Sequence, residues 1–245
     1  MRMEKPSVKF ENVSKKYILR RRSYGLKSVI LHLPQYINDL HNPRVFEALK
    51  SIDLEISQGE TLGIIGHNGS GKTSLLSLIG NVIRPDSGRI TVDGRISMML
   101  SLGTGFCQEL SGRENIILNG VLQGITRKRM NELMDDIIDF SGIEEFIDSP
   151  IFQYSSGMQT RLGFGIVTAL QPEILLVDEV MAVGDVNFAK KCDERMTKLL
   201  NNGTTLLLVS HNMHDIRKYC KRVIRLDHGQ IVEDGPTEDV LKKII

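Results

Sequence analysis

Disulfide chemistry has little to work with in this sequence. Only three of its 245 residues are cysteine, Cys107, Cys192 and Cys220, odd in number and far apart. They match neither a disulfide framework nor a zinc-ligand spacing, and they suit a reducing compartment. A surplus of one charge is lacking too: 31 Lys plus Arg face 30 Asp plus Glu, a formal net charge of +1. Dedicated nucleic-acid binders carry a clear basic excess, so that class is excluded. No apolar run approaches the roughly 18 residues that cross a bilayer, and the opening MRMEKPSVKF has no signal-peptide core. These absences lead to the expectation of a soluble, cytoplasmic protein. Internal repeats and low-complexity stretches are absent as well.

What is present is enough for a packed core. Apolar residues make up 41% and charged residues 25% of the chain, which excludes general disorder. The length suits one large domain, residues 1–245, at roughly 150 residues per domain. Charge is uneven along it: residues 1–50 hold 11 basic and 4 acidic side chains. Within them Val8–Val13 alternates like a strand, and just beyond them Ile52–Ile56 does the same. Residues 18–48 read as an insertion. It opens on Arg20-Arg21-Arg22, then sets Leu26, Val29, Ile30 and Leu33 at helical spacing before Pro34.

Beyond Gly59 the pattern becomes strand, loop and helix. Thr61–Ile65 is a short apolar run, and a helix is expected over Ser74–Ile79. Residues 110–172 read as a helical subdomain. There Met130, Leu133, Met134, Ile137 and Ile138 form a core-facing stripe behind Thr126 as N-cap. Arg127, Lys128 and Arg129 in that first turn oppose the helix dipole. The last third alternates: strand Ile174–Val177, helix Phe188–Leu200, strand Thr205–Val209, and a final helix from Thr237. Buried strands separated by helices imply an α/β fold with a mainly parallel sheet covered on both faces.

Two motifs carry phosphate chemistry. Gly66-His67-Asn68-Gly69-Ser70-Gly71-Lys72-Thr73 fits G-x-x-x-x-G-K-[ST] between a strand and a helix. Glycine lets successive backbone N–H groups turn inward around an anion, and the helix end adds its partial positive charge. Lys72 is expected on the β- and γ-phosphates, and the Thr73 hydroxyl on Mg²⁺. Ile174–Val177 runs into Asp178-Glu179, at the strand end where open α/β sheets hold ligands. Asp178 is expected to hold the magnesium ion or its water, and Glu179 to polarise the attacking water. His211, just past Thr205–Val209, can hydrogen-bond a γ-phosphate oxygen. The imidazoles of His67, His214 and His228 are read as structural.

Tyr154-Ser155-Ser156-Gly157-Met158-Gln159 lies between these two motifs and resembles the signature of ABC transporter ATPases, usually L-S-G-G-Q. Ser156 stands where the first glycine usually sits; Ser155 and Gly157 remain. The resemblance covers nearly the whole chain. It implies a P-loop ABC core with an antiparallel β part near the N-terminus. It makes Glu179 the catalytic glutamate, His211 the switch histidine, and Ala182-Val183-Gly184-Asp185 the D-loop. Tyr17 becomes the residue that stacks on adenine, and Ser155, Ser156 and Gly157 close on ATP held by a second copy of the chain.

The branch is legible too. The Y-S-S-G-M and A-V-G-D runs, and Leu102–Ile116 with its Glu109-Leu110-Ser111-Gly112-Arg113-Glu114-Asn115 stretch, are similar to exporters of O-antigen, capsule and teichoic acid. So is the basic insertion, which sets Tyr17 49 positions before Gly66. Gln108 does not stand at the usual Q-loop spacing, and its role stays open. This resemblance implies a peripheral subunit on the cytoplasmic face of the inner membrane. It would power export of a lipid-linked polysaccharide through a separate permease. No added carbohydrate-binding domain is expected, since the sequence stops at Ile245. Alternatives are an importer or another exporter ATPase, or a non-transport ABC scaffold. The 104 residues between Thr73 and Asp178 contain no sustained heptad run, against the scaffold reading.

Overall fold

The computed structural model describes residues 6–19, 44–100, 105–178 and 186–243. The helix expected around Leu26–Leu33, the Arg20–Arg22 cluster, Glu179 and the Ala182–Asp185 run lie outside them. Nine strands are named among the described residues: β1 Val8–Leu19, β2 Arg44–Ile56, β3 Thr61–Ile65, β4 Ser87–Val92, β5 Ile96–Leu100, β6 Ile174–Asp178, β7 Thr205–Val209, β8 Arg222–Asp227 and β9 Gln230–Pro236. The α-helices are α1 Lys72–Ile79, α2 Gly112–Leu122, α3 Arg127–Ser141, α4 Ser156–Ala169, α5 Val186–Asn201, α6 Met213–Tyr219 and α7 Thr237–Lys242. None of them is long and apolar enough to cross a membrane.

The strands form two sheets. A three-stranded antiparallel sheet runs β2-β1-β4, and a six-stranded sheet runs β5-β6-β7-β3-β8-β9. The latter is parallel except for β9, which returns beside β8. Its central strands are buried on both faces. Ile174, Leu176, Leu207 and Val209 point into a core shared with α1 and the antiparallel sheet. Their neighbours Leu175, Val177, Leu206 and Leu208 point into a second core with Phe140, Phe164, Phe188 and Met196. This double burial is why these strands read as unbroken apolar runs.

A third core is helical. Met130, Met134, Ile137 and Ile138 of α3 pack with Ile116, Leu162 and Ile166. Thr126 does cap α3, its hydroxyl accepting from the Arg129 N–H at 3.3 Å. The basic first turn is eased one turn on, where Arg129 pairs with Glu132 at 2.8 Å. At the start of α2, Ser111 and Glu114 form a capping box, each side chain accepting from the other's backbone N–H. The Ser111 N–H and the Ser111 hydroxyl each donate to Glu114 Oε2 at 2.9 Å and hold that carboxyl below the usual range.

Asn115, fully buried, explains the end of the Ser-Gly-Arg-Glu-Asn run. Its Oδ1 accepts from the Cys107 N–H at 2.8 Å, and its amide serves the carbonyls of Cys107, Leu110 and Ser111. Alanine there leaves several buried backbone groups unpaired. Asn115→Ala should cost about 2–3 kcal/mol, read as a lower midpoint in urea denaturation with the slope unchanged. A midpoint within error of the parent chain would show that water replaces the amide at no cost.

Candidate active site

The sheet order brings the phosphate motifs to one edge. β7 lies between β6 and β3, so Val209 pairs with both Asp178 and Ile64. The loop after Ile65, the Asp178 carboxylate and His211 therefore leave the same carboxyl edge.

The loop of residues 66–71 is shaped by close approach. At Gly66, with φ 151°, a Cβ would stand 2.3 Å from the Leu226 carbonyl oxygen and 2.7 Å from Ser70 Oγ. At Gly71, with φ 112°, it would meet the Ala48 carbonyl oxygen at 2.5 Å. Gly71 is also the N-cap of α1, so no side chain caps that helix, and its first turn holds no acidic residue. Its first N–H groups are left for an anion, whereas Ser111, Thr126, Ser155 and Asn212 cap α2, α3, α4 and α6. Lys72 Nζ spans the loop, donating to the carbonyls of Gly66 at 2.8 Å and His67 at 3.0 Å. Ser70 Oγ is fully buried without a hydrogen-bond partner. At Gly69 a Cβ would meet no atom within 4 Å, so the loop is open on that side.

These features fit a nucleotide phosphate chain. Thr73 donates its hydroxyl hydrogen to Asp178 Oδ2 at 3.1 Å, bringing together two hard oxygen donors of the kind that Mg²⁺ accepts. Tyr17 lies beside the same helix, its hydroxyl 3.2 Å from Ser74 Oγ, with its ring partly exposed as a base-stacking residue needs. Phe46, its cross-strand partner, is exposed as well. Neither neighbour is announced by residues near Tyr17 in the chain. His67 contributes its backbone to the loop while its side chain turns to Asp227, Nε2 to Oδ1 at 2.9 Å. Glu179 follows Asp178 directly, but neither it nor Asp185 is among the described residues.

The signature residues sit elsewhere, on the helical core. Ser155 caps α4, its hydroxyl accepting from the Met158 N–H at 3.2 Å, and Ser155 and Ser156 are exposed at that helix end. Gly157 leaves open space beside them, with only Ser155 Oγ near a Cβ position. Tyr154, in place of the usual leucine, is buried and donates its hydroxyl hydrogen to the Phe146 carbonyl at 2.7 Å. Burial pushes its phenol up. The segment before the signature is tied to the loop after β5: the Phe152 N–H donates to the Gln108 carbonyl and the Ile151 N–H to the Leu110 carbonyl. Gln108 thus acts here through its backbone, with its side chain exposed.

The ABC transporter family model matches residues 49–182. The chain is 41% identical to "O-antigen export system ATP-binding protein RfbB" of Klebsiella pneumoniae, over 97% of this chain and 96% of that one. It is 38% identical to "Teichoic acids export ATP-binding protein TagH" of Lactococcus lactis, over 98% of this chain and 51% of that one. In fold it resembles the ATP-binding cassette MJ0796, solved as a dimer with ADP and Pi, at a TM-score of 0.74 and 21% identity, over 94% and 98% of the two chains. With the phosphate loop, the strand-end aspartate and the capped signature helix in one fold, and this similarity end to end, the chain belongs to the ABC transporter family.

Proposed function

We propose that the chain is the ATP-hydrolysing subunit of an exporter. It powers passage of a lipid-linked polysaccharide, of the O-antigen, capsule or teichoic-acid kind, through a permease carried on another polypeptide. The observation that carries this reading is the 41% identity to an O-antigen export protein over 96% of that protein's length. In this reading the loop amides of residues 66–73 and Lys72 bind the phosphates, and Tyr17 stacks on adenine. Thr73 and Asp178 hold Mg²⁺, which when bound neutralises charge on the phosphates. Glu179 takes a proton from water and orients it, while His211 donates to the γ-phosphate. Ser155, Ser156 and Gly157 of a second copy complete the site, and Asp185 serves at the same junction. The chain then works at the cytoplasmic face of the inner membrane, with residues 18–48 as a basic insertion and residues 110–172 as the helical subdomain that carries the signature.

The test is genetic and chemical together. Deleting the gene should abolish the surface polysaccharide, and the parent gene should restore it while Lys72→Ala should not. Replacing Arg20, Arg21 and Arg22 by Glu asks more, because each basic residue near an anionic leaflet contributes about 1 kcal/mol. That triple variant should keep basal ATPase activity within about twofold and still co-purify with its permease, yet lose polymer export. Surface polysaccharide that persists after deletion would overturn the export reading. Unchanged export by the triple variant would overturn the role of the insertion.

A further inference from the structure

His67 faces two acceptors with one neutral-state hydrogen. Its Nδ1 lies 2.7 Å from the Asn68 carbonyl oxygen, and its Nε2 lies 2.9 Å from Asp227 Oδ1. A neutral imidazole carries a single N–H, so donation to the carbonyl aims the Nε2 lone pair at a carboxylate. In that tautomer a metal ion shared by the two groups relieves the repulsion, and a third donor stands beside them. His228 Nε2 stands 3.8 Å from the same carboxylate oxygen, and the two imidazole centroids are 5.0 Å apart. The ligand atoms of all three residues lie within 4.8 Å of one another.

The backbone holds these groups together. β8 and β9 are joined by the two-residue turn His228-Gly229, with φ of 45° and 80°, the signs a type I′ hairpin turn demands. The Gly229 N–H donates to the Ser70 carbonyl at 3.0 Å, and the Lys50 N–H donates to the Gly229 carbonyl at 2.8 Å. The turn is thus fastened to the phosphate loop that carries His67.

The geometry points to a binding site for a divalent transition ion of the Zn²⁺ type, formed by His67 Nε2, Asp227 Oδ and His228 Nε2, with a fourth position left to water. Tetrahedral zinc with bonds of about 2.0–2.1 Å sets its ligand atoms about 3.3 Å apart. The observed 2.9 and 3.8 Å bracket that spacing. The Nδ1–H bond to a backbone carbonyl is the outer contact that fixes a metal-binding histidine in the right tautomer. Two nitrogen donors disfavour Mg²⁺, so this site is chemically distinct from the oxygen pair Thr73 and Asp178. Side-chain exposures of 48%, 38% and 79% for His67, Asp227 and His228 leave the ion a path from solvent. The site also reaches the loop, because the His67 carbonyl accepts from Lys72 Nζ and from the Ser70 N–H.

Equilibrium dialysis of the full chain against Zn²⁺, and titration with Co²⁺ read by its visible absorption, test the site without nucleotide. One equivalent should bind per chain and should stay bound in millimolar Mg²⁺. Asparagine tolerates the left-handed backbone of position 228, so His228→Asn keeps the turn. It should weaken binding at least about tenfold, lose the Co²⁺ band, and hold basal ATPase activity within about twofold. Asp227→Asn gives a second variant should the first fold poorly, and His214→Asn, another exposed histidine, should bind as the parent does. Zn²⁺ should raise Tm in the parent chain and not in His228→Asn. No saturable binding below about 100 µM, displacement by Mg²⁺, or undiminished binding by both turn variants would overturn the proposal.

Discussion

Gly66→Ala should abolish measurable nucleotide binding, a loss of at least about 100-fold, and should lower Tm as well. The added Cβ would stand 2.3 Å from the Leu226 carbonyl oxygen, which belongs to the backbone of β8. That strand cannot step aside, because it is laddered to β3 on one side and β9 on the other. The loop must move instead, by the order of 1 Å; a misplacement of that size can cost about 100-fold at a reacting centre, and the loop N–H groups lose their aim on the phosphates in the same way. Moving Gly66 also shifts the carbonyl that accepts from Lys72 Nζ at 2.8 Å. Lys72→Ala makes the informative contrast. It removes the charge proposed to grip phosphate but leaves the loop free of clash. ATP binding should fall while Tm drops less than in Gly66→Ala, through loss of the lysine bonds to the Gly66 and His67 carbonyls. Calorimetric titration with ATP beside a thermal melt separates the two. A Gly66→Ala chain that binds ATP as the parent does would show that the loop shape is not what creates the site.

Much of this architecture is legible in the sequence because burial is symmetric. Ile174–Val177 and Thr205–Val209 are buried throughout, and a run without polar interruption is what such strands require. The phosphate loop is legible for a different reason: glycines at 66 and 71 answer local backbone needs that no side chain can meet. Strands β4 and β9 escape that kind of reading. Neither holds a buried residue: β4 is exposed at four of its six positions, and β9, at the outer edge of its sheet, alternates exposed and half-buried positions with no matching polar–apolar pattern. β1 and β2 run past the expected Val8–Val13 and Ile52–Ile56 because their far ends, including Ile18, Val45 and Phe46, pair while remaining exposed. Long-range pairings are the least legible. Nothing near His67 announces Asp227, 160 positions away, and Tyr17 meets Ser74 only because β1 lies over the start of α1. The tyrosine of the signature is a change that burial explains afterwards: the helical core has room for its ring, and the Phe146 carbonyl takes its hydroxyl.

Glu179→Gln should lower ATP turnover by about 10²–10⁴-fold, the range a positioned general base contributes, while ATP binding persists. The residue follows Asp178, whose carboxylate already accepts from the Thr73 hydroxyl, so the chain leaves β6 at the edge where these two oxygens meet. Glutamine keeps the size and hydrogen bonding of that side chain but removes the charge that draws a proton from water. The consequence for assembly comes from where the signature is built. Ser155 and Gly157 open α4 on the helical core, with the helix end exposed and space beside Gly157. In the proposed function this is the surface that receives the phosphate held by another copy. On that reading hydrolysis removes the phosphate that joins the two copies, so blocking it should trap the pair. Size-exclusion chromatography of Glu179→Gln with ATP and Mg²⁺ should therefore show a species of twice the chain's mass, absent with ADP. Adding Ser155→Arg to Glu179→Gln places a bulky side chain at the helix end where the partner's phosphate would dock. The double variant should bind ATP yet run as a monomer. If Glu179→Gln itself runs only as a monomer, with and without the permease, the paired site is wrong and hydrolysis must be completed within one copy.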